Sequence, residues 1–279
     1  CKGVQLPSAN VLAEGLAHDR EFMIARPGNG DTLEFMSQRQ IPLMALIEPS
    51  VPSRTGALTI RAPGMHALVV APPEKKGVRI PVDLWGDAAE GLDCGDEAAA
   101  WLCDFLQAAS LRLLQHVGTR RIDENFASGV TRFSDGFPLL VTTQASLEKA
   151  ERTSGISQAF ERFRPNLVLQ GGGSPHVEDT VRGVTIFASG AKPVHFSFVK
   201  PCARCQVPSV DPATGCRGVD PLRALRPYRS GRVLVLKVTA HLEHFQKNLG
   251  EIFFGQNAVP DLSGRHECVI SVGDTAAWF

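Results

Sequence analysis

Turn-forming residues constrain this chain more than any other feature. It carries 26 glycines and 19 prolines among 279 residues, so the backbone is punctuated every few positions. Proline breaks helix interiors and central ladders, and glycine marks turns and bulges. Long helical layers are therefore disfavoured, and short strands joined by tight turns are favoured. Runs of β type fill the first 90 residues: "EFMIA", "ALTIRA", "HALVVA" and "GVRIPV". The texture changes at "DCGDEAAAWLCDFLQAASLRLL". Ala98, Trp101, Leu102, Phe105 and Leu106 fall on one face of a predicted helix. Asp96 and Glu97 sit in its first turn, where the helix dipole favours negative charge. A second helix is predicted from about Ser146, in "SLEKAERTS". Short strand runs then return: "FPLLVTT", "NLVLQ", "VTIFAS", "HFSFVK", "RVLVLKV" and "ECVISV". Strands and helices alternate too weakly for a doubly wound parallel sheet. The predicted class is α+β and β-rich, with a β-rich N-terminal domain over residues 1–92. A larger β-barrel-like domain with a few helices follows over 93–279.

Charge and cysteine content narrow the function classes. Lys+Arg and Asp+Glu are equal at 29 each, which argues against a nucleic-acid binder built on a broad basic face. A small anionic ligand held by two or three arginines remains compatible with that balance. No apolar run approaches the ~18 residues a membrane span needs. The opening residues have neither the basic nor the apolar region of a signal peptide, and "CKG" without a methionine reads as the interior of a longer chain. Seven cysteines in such a chain are expected to be reduced thiols, and Cys103 lies on the predicted helix as a small buried hydrophobe.

Two of those cysteines form the pair Cys202-Ala-Arg-Cys205 within "VKPCARCQVPSVDPATG". A structural zinc site wants four ligands, and this is a single C-x-x-C with the other cysteines scattered. His241 and His244 are a mismatched complement. A thioredoxin-like dithiol needs a helix after its first cysteine, whereas Pro208, Pro212 and Gly215 follow here. What remains is a single thiolate on a loop beside Arg204. Such a thiolate suits a soft or high-valent metal carried by a cofactor, and an arginine suits its phosphate or ring oxygens. Arg20, Arg39 and Arg164 are further loop arginines suited to the same anion.

Read together and in order, several stretches resemble the MOSC family of molybdenum-cofactor proteins, in particular its amidoxime-reducing component branch. They are "CKGVQ", "GLAHDREFMI", "SQRQIPLMALI", "APGM", "DCGDEAAAWLCDFL", "FSDGFPLLVTTQASL", "RFRPNLVL", "VKPCARCQVPSVDPATG", "DPLRALRPYR", "FFGQN" and a closing "VGD". The resemblance implies an N-terminal β-rich unit followed by a MOSC domain, and a molybdenum cofactor held through Cys205. Cys202 would then be a neighbour and no ligand. Arg204 and Ala203 would belong to the cofactor pocket, and Arg20 would lie at the phosphate end. Ser134, Asp135, Arg164 and Asn166 would face the pterin, and Asn257 would follow them where some relatives carry tyrosine. Asp135 would also manage protons. The family's Lys-Ser pair before "CKG" falls outside this chain, and the stretch between "RPYRS" and "FFGQN" looks longer and more apolar than usual.

The activity so implied is reduction of N-hydroxylated compounds (amidoximes, hydroxylamines, N-hydroxylated bases), with nitrite reduction to nitric oxide as a side activity. The implied electron donors are cytochrome b5 and its NADH-dependent reductase, or a nitrate reductase, acting on a monomer. The implied compartment is cytoplasmic, or the mitochondrial outer membrane if an anchor was removed upstream. The rival is the C-terminal domain of a molybdenum cofactor sulfurase, which shares the C-x-R-C-Q motif. A third reading, a non-catalytic carrier, predicts tight cofactor binding without turnover.

Overall fold

The computed structural model describes the chain except residues 172, 189–191 and 239–241. The strand Arg112–Val117 pairs with both Phe22–Pro27 and Asp87–Asp93, closing a five-stranded barrel completed by Leu33–Phe35 and Arg79–Leu84. Closure leaves this small sheet without free edges. The hairpin joining its last two strands turns on Trp85 and Gly86, both at positive φ (61° and 94°). The Gly86 N–H donates to Asp83 Oδ1 at 2.6 Å, which fixes the turn.

The predicted first helix forms over Asp96–Leu106, and Ala98, Trp101, Leu102 and Leu106 are buried as its apolar spacing requires. Phe105 is half-buried on the same face. The helix packs with a three-stranded sheet (Glu48–Pro49, Leu58–Arg61, Leu68–Val70) against Ile24, Met44 and Ile47. Each large apolar side chain so buried contributes roughly 1.5–3 kcal/mol. The Trp101 indole keeps its one polar group satisfied by donating to His66 O at 2.8 Å. Cys103, as expected, is on this helix; it is half-buried, and its Sγ accepts from the Leu111 N–H at 3.3 Å.

The second body is a six-stranded sheet in the order Leu167–Leu169, Leu139–Thr143, Phe253–Asp261, Val194–Ala203, Gly183–Phe187, Thr275–Trp278. Its first pair is parallel and the others are antiparallel. A helix over Gln144–Ser154 begins where Thr143 Oγ1 accepts the Ser146 N–H, two residues ahead of the predicted start.

The sheets do not divide the chain after residue 92. Residues 96–117 supply a helix and the closing strand of the first barrel. Ser8–Leu12, near the N-terminus, pairs instead with Cys268–Ser271 beside the second body, Val11 opposite Cys268.

One expected strand is a helical turn. "RVLVLKV" forms a short helix over Gly231–Leu234, with a turn after it. Helical spacing lets Leu234, Val235 and Val238 face Phe245 and Phe253 together, which alternation along a strand cannot do. The same spacing sends Leu236 outward, 84% exposed. Ser189, at the end of "VTIFAS", lies outside the described residues. A strand would bury positions 234 and 236 alike, so two truncations separate the alternatives. Leu234→Ala is expected to cost about 2–5 kcal/mol in urea unfolding, and Leu236→Ala within about 0.5 kcal/mol of zero. Equal costs would restore the strand.

Candidate functional site

The longest ladder of the second sheet sets the site. Strands Val194–Ala203 and Phe253–Asp261 pair with Lys200 opposite Asn257, Pro201 opposite Gln256 and Ala203 opposite Phe253. Two register irregularities bend this end of the ladder, between Phe198 and Lys200 and between Pro201 and Ala203. Beyond Ala203 the Arg204 N–H still donates to Ile252 O at 2.8 Å, so the chain leaves the sheet at Cys205. A single 3-10 turn over Val207–Ser209 follows, containing Pro208. No helix follows the pair, as its prolines require.

Both cysteines are free thiols. Cys202 Sγ accepts from Arg204 Nη1 at 3.2 Å. Arg204 is held by Nη2 donating to Phe163 O at 2.7 Å, and its guanidinium lies 5.6 Å from the Phe163 ring centroid. Phe163 is itself stacked on Phe254 at 4.1 Å. Arg204 Nε is buried with no partner. Half-buried Cys205 is thus flanked by an arginine that is rigidly placed and incompletely satisfied.

Two further arginines share the neighbourhood of Arg204, since its charge and that of Arg20 both act on Arg164. Arg20 and Arg164 both adopt left-handed backbone (φ 53° and 58°), Arg164 as the cap ending the helix Ala159–Phe163. Burial pushes the Arg164 guanidinium down to about 10, and the charges of Arg20 and Arg204 push the same way. Asp19 and Asp135 oppose them, too weakly to restore the ordinary value. Arg164 Nη1 donates to Cys1 O at 2.8 Å. Three cations with two carboxylates nearby make a site with unspent positive potential.

Asn166 is spent locally. Its Oδ1 accepts from Leu140 N at 2.9 Å and its Nδ2 donates to Asp19 at 2.8 Å. It therefore holds the Asp19–Arg20 turn against the sheet. The strand residue Leu140 also faces Asn257, which is half-buried. Ser134 is buried, whereas Asp135 is exposed, as is Ala203 at the end of its strand. The Phe133 N–H donates to Arg20 O at 3.0 Å, tying the "FSDGF" loop to Arg20. Arg39 is elsewhere: its guanidinium lies 3.7 Å from the Trp85 ring centroid.

Sequence reading missed the groups that brace these loops. Arg162 is buried and donates to Ser157 O, Pro208 O and Val210 O, and pairs with Asp211 at 2.8 Å. Asp211 also accepts the N–H groups of Ala213 (2.8 Å) and Thr214 (3.2 Å); these bonds and Arg162 hold its carboxyl below the usual range. Gly215, at φ 66°, closes that turn where a Cβ would come within 3.0 Å of Leu46. Arg120 binds the backbone of the "FSDGF" loop. Beneath the Phe253–Asp261 strand, buried Gln256 donates to Asp179 at 2.8 Å, and Asp179 pairs with buried Arg229. A buried polar residue inside an apolar run, as in "FFGQN", is the one signal that pointed to this last group.

Among the described residues no group of three or more His, Cys, Asp or Glu side chains could hold a metal ion. His241 lies outside the described residues, and the His244 ring packs edge-on against Phe126 and Phe253 at 5.7 and 5.5 Å.

Comparison with protein families decides the kinship. A MOSC N-terminal beta barrel domain matches residues 1–109 and a MOSC domain matches residues 128–276. The chain belongs to the MOSC family. This MOSC protein is 30% identical to Mitochondrial amidoxime reducing component 2 of Homo sapiens over 247 residues, covering 82% of this chain and 69% of that one. It is 30% identical to Mitochondrial amidoxime-reducing component 1 of Mus musculus over 242 residues, covering 82% and 68%. Against Molybdenum cofactor sulfurase of Danio rerio it is 28% identical over 285 residues, covering 94% of this chain and 33% of that one. The chain therefore spans about a third of the sulfurase's length. A solution structure from Bordetella bronchiseptica aligns with 38% of this chain at 19% identity and a TM-score of 0.29, too slight a likeness to carry any argument.

The residues of this MOSC protein fit the cofactor its family implies. The buried, unpartnered Arg204 Nε and the repelling arginines suit an oxygen-rich anion. Among the described residues no group of three or more metal-ligating side chains surrounds Cys205, which suits a metal whose remaining ligands come from elsewhere. An anion at this site is expected to stabilise the protein. Inorganic phosphate at ten times its Kd should add about 1.4 kcal/mol to wild-type stability, and less to Arg164→Gln in the same buffer. Identical gains would place the anion elsewhere.

Proposed function

We propose that this MOSC protein is a molybdenum-cofactor-dependent reductase of N-hydroxylated compounds. The observation that carries the proposal is the unpaired Cys205 thiol next to Arg204, whose charge, with that of Arg20, reaches the buried Arg164. Cys205 is assigned as the metal ligand, held as a thiolate. When bound, the cofactor supplies two-electron oxygen-atom chemistry at a metal with exchangeable positions.

The other roles follow from position. Arg20 neutralises the phosphate end, Arg164 faces the pterin, and Arg204 offers its remaining N–H to a cofactor oxygen. Ser134 and Asn257 line the ring system, Asn257 from the strand beside the Cys205 loop. Ala203, small and exposed at the end of its strand, leaves room for substrate. Asp135, the exposed carboxylate of the set, moves protons between solvent and substrate. Asn166 acts through Asp19 and Arg20 by positioning them. The domain division we adopt runs through residues 118–127, between the two matched regions.

Substrates are taken to be amidoximes, hydroxylamines and N-hydroxylated bases, with nitrite reduced to nitric oxide as a side activity. Electrons are assigned to cytochrome b5 and NADH-cytochrome b5 reductase, or to a nitrate reductase, acting on a monomer. No helix among the described residues is long and apolar enough to cross a membrane. The compartment we assign is the cytoplasm, or the mitochondrial outer membrane where an anchor precedes this chain. A second reading, the cofactor-binding domain of a sulfurase, is favoured by the broader reach of that alignment, 94% of this chain against 82%. A third, a non-catalytic cofactor carrier, fits the same arginines and thiol.

The deciding experiment pairs metal analysis with turnover, on protein purified from a host that makes the cofactor. Wild type and Cys202→Ala are expected to hold near-stoichiometric molybdenum, and Cys205→Ala to hold little. The wild type should reduce benzamidoxime with cytochrome b5 and its NADH-dependent reductase. Molybdenum without turnover under any electron supply would favour the sulfurase or carrier reading. Molybdenum retained in Cys205→Ala would overturn the ligand assignment.

A further inference from the structure

The hairpin of the first barrel that turns at Trp85 and Gly86 contacts both loops of the candidate site. On one side, Asp87 Oδ2 accepts from Arg120 Nη2 at 2.6 Å. Arg120 is 5% exposed and lies on the short strand Arg120–Arg121. Its fork also donates to three backbone carbonyls, those of Arg132 (3.1 Å), Ser134 and Asp135 (3.1 Å). A planar guanidinium with several donors fixes a loop in a way that a lysine cannot. On the other side, Trp85 carries the Arg39 guanidinium over its ring. The Arg39 carbonyl accepts from Arg217 Nη2, and Arg217 Nη1 reaches Gln206 Oε1 at 3.4 Å, the residue after Cys205.

We infer that this hairpin turn is a positioning clamp through which the N-terminal barrel sets the loops carrying Ser134, Asp135 and Cys205. The inference rests on the cofactor reading only for what the loops hold, and the clamp itself is read from contacts within the protein. Neither Trp85, Asp87 nor Arg120 belongs to the cofactor-facing set, and each acts through another residue. The carboxylate of Asp87 is 63% exposed while the Arg120 side chain is 4% exposed. Asp87 can therefore be changed without opening a core, and its loss leaves a buried cation short of its only carboxylate among the described ion pairs.

The test is hydrogen exchange read residue by residue by NMR on the full chain, in wild type, Asp87→Asn, Trp85→Ala and Arg120→Lys, with molybdenum content measured beside it. The Phe133 amide, which donates to Arg20 O, reports one loop; the Asp211 and Gly218 amides, which donate to Cys216 O and Ser209 O, report the other. Asp87→Asn is expected to speed Phe133 exchange about tenfold, and Trp85→Ala to speed Asp211 and Gly218 by a similar factor. The Val141 amide in the central sheet should keep its rate. Molybdenum content should fall about twofold or more in the Asp87→Asn, Trp85→Ala double variant. Should Arg120→Lys fail to fold, Asp87→Asn and Trp85→Ala still decide. Unchanged reporter amides, or a rise shared equally by Val141, would overturn the clamp. Faster loops with undiminished molybdenum would overturn its bearing on the cofactor. A wild type without molybdenum would instead strike the cofactor reading, while the exchange rates still judge the clamp.

Discussion

The buried Arg164 guanidinium stands in the field of two others from distant parts of the chain, Arg20 and Arg204. Asp19 and Asp135 are the opposing charges on Arg164, and Arg204 is the chain neighbour of Cys205. Like charges in a partly buried site destabilise the empty protein. They persist only where surrounding structure holds them, and here it does so with bonds that are individually ordinary. Phe163 supplies a carbonyl to Arg204, Asn166 pins Asp19 to Leu140, and left-handed backbone at Arg20 and Arg164 aims both side chains. Stability given up in this way is typical of a binding site awaiting an opposite charge.

A second set of buried arginines does different work. Arg162 and Arg120 brace the fold, their Nη donors ending on backbone carbonyls and on Asp211 and Asp87, although Arg120 Nε is buried without a partner. They stiffen the loops on either side of Cys205, which otherwise lack regular ladders to hold them. Arg229 plays the equivalent part under the sheet, where it fixes Asp179 and through it Gln256. The chemistry of arginine thus divides by surroundings. Forks whose Nη donors end on carbonyls and carboxylates of the fold build the frame, and those left among like charges mark the candidate site.

Kinship and geometry constrain different things. The MOSC and MOSC N-terminal matches establish the family, and the relatives named as amidoxime reducing components and cofactor sulfurases share its reach across most of this chain. Both kinds of relative are compatible with one thiol beside an anion site. The difference between them lies in what arrives at that site, substrate and electrons or a sulfur donor.

Residue spacing alone disclosed the helix at 96–106, the dominance of short strands, and the helix-free turn after Cys205, because periodicity and proline act locally. It read the whole C-x-x-C pair as loop, whereas Cys202 lies on the strand Val194–Ala203. Motif order disclosed the family. It misassigned "RVLVLKV", where a β-branched run became a helical turn because Leu234 and Val238 had a common apolar partner in Phe253. It also grouped Arg39 with the anion-facing arginines, although Trp85, 46 residues away, takes its guanidinium. Nothing in the local sequence separates Arg164 from Arg162, two residues apart, yet one faces the candidate site and the other braces a loop. That choice, and the use of Asp87 to reach the "FSDGF" loop through Arg120, belong to the tertiary structure. Composition and local pattern decide which segments are strands, turns and loops. Which arginine keeps an unspent charge is decided by the carbonyls and carboxylates that folding brings within hydrogen-bond reach.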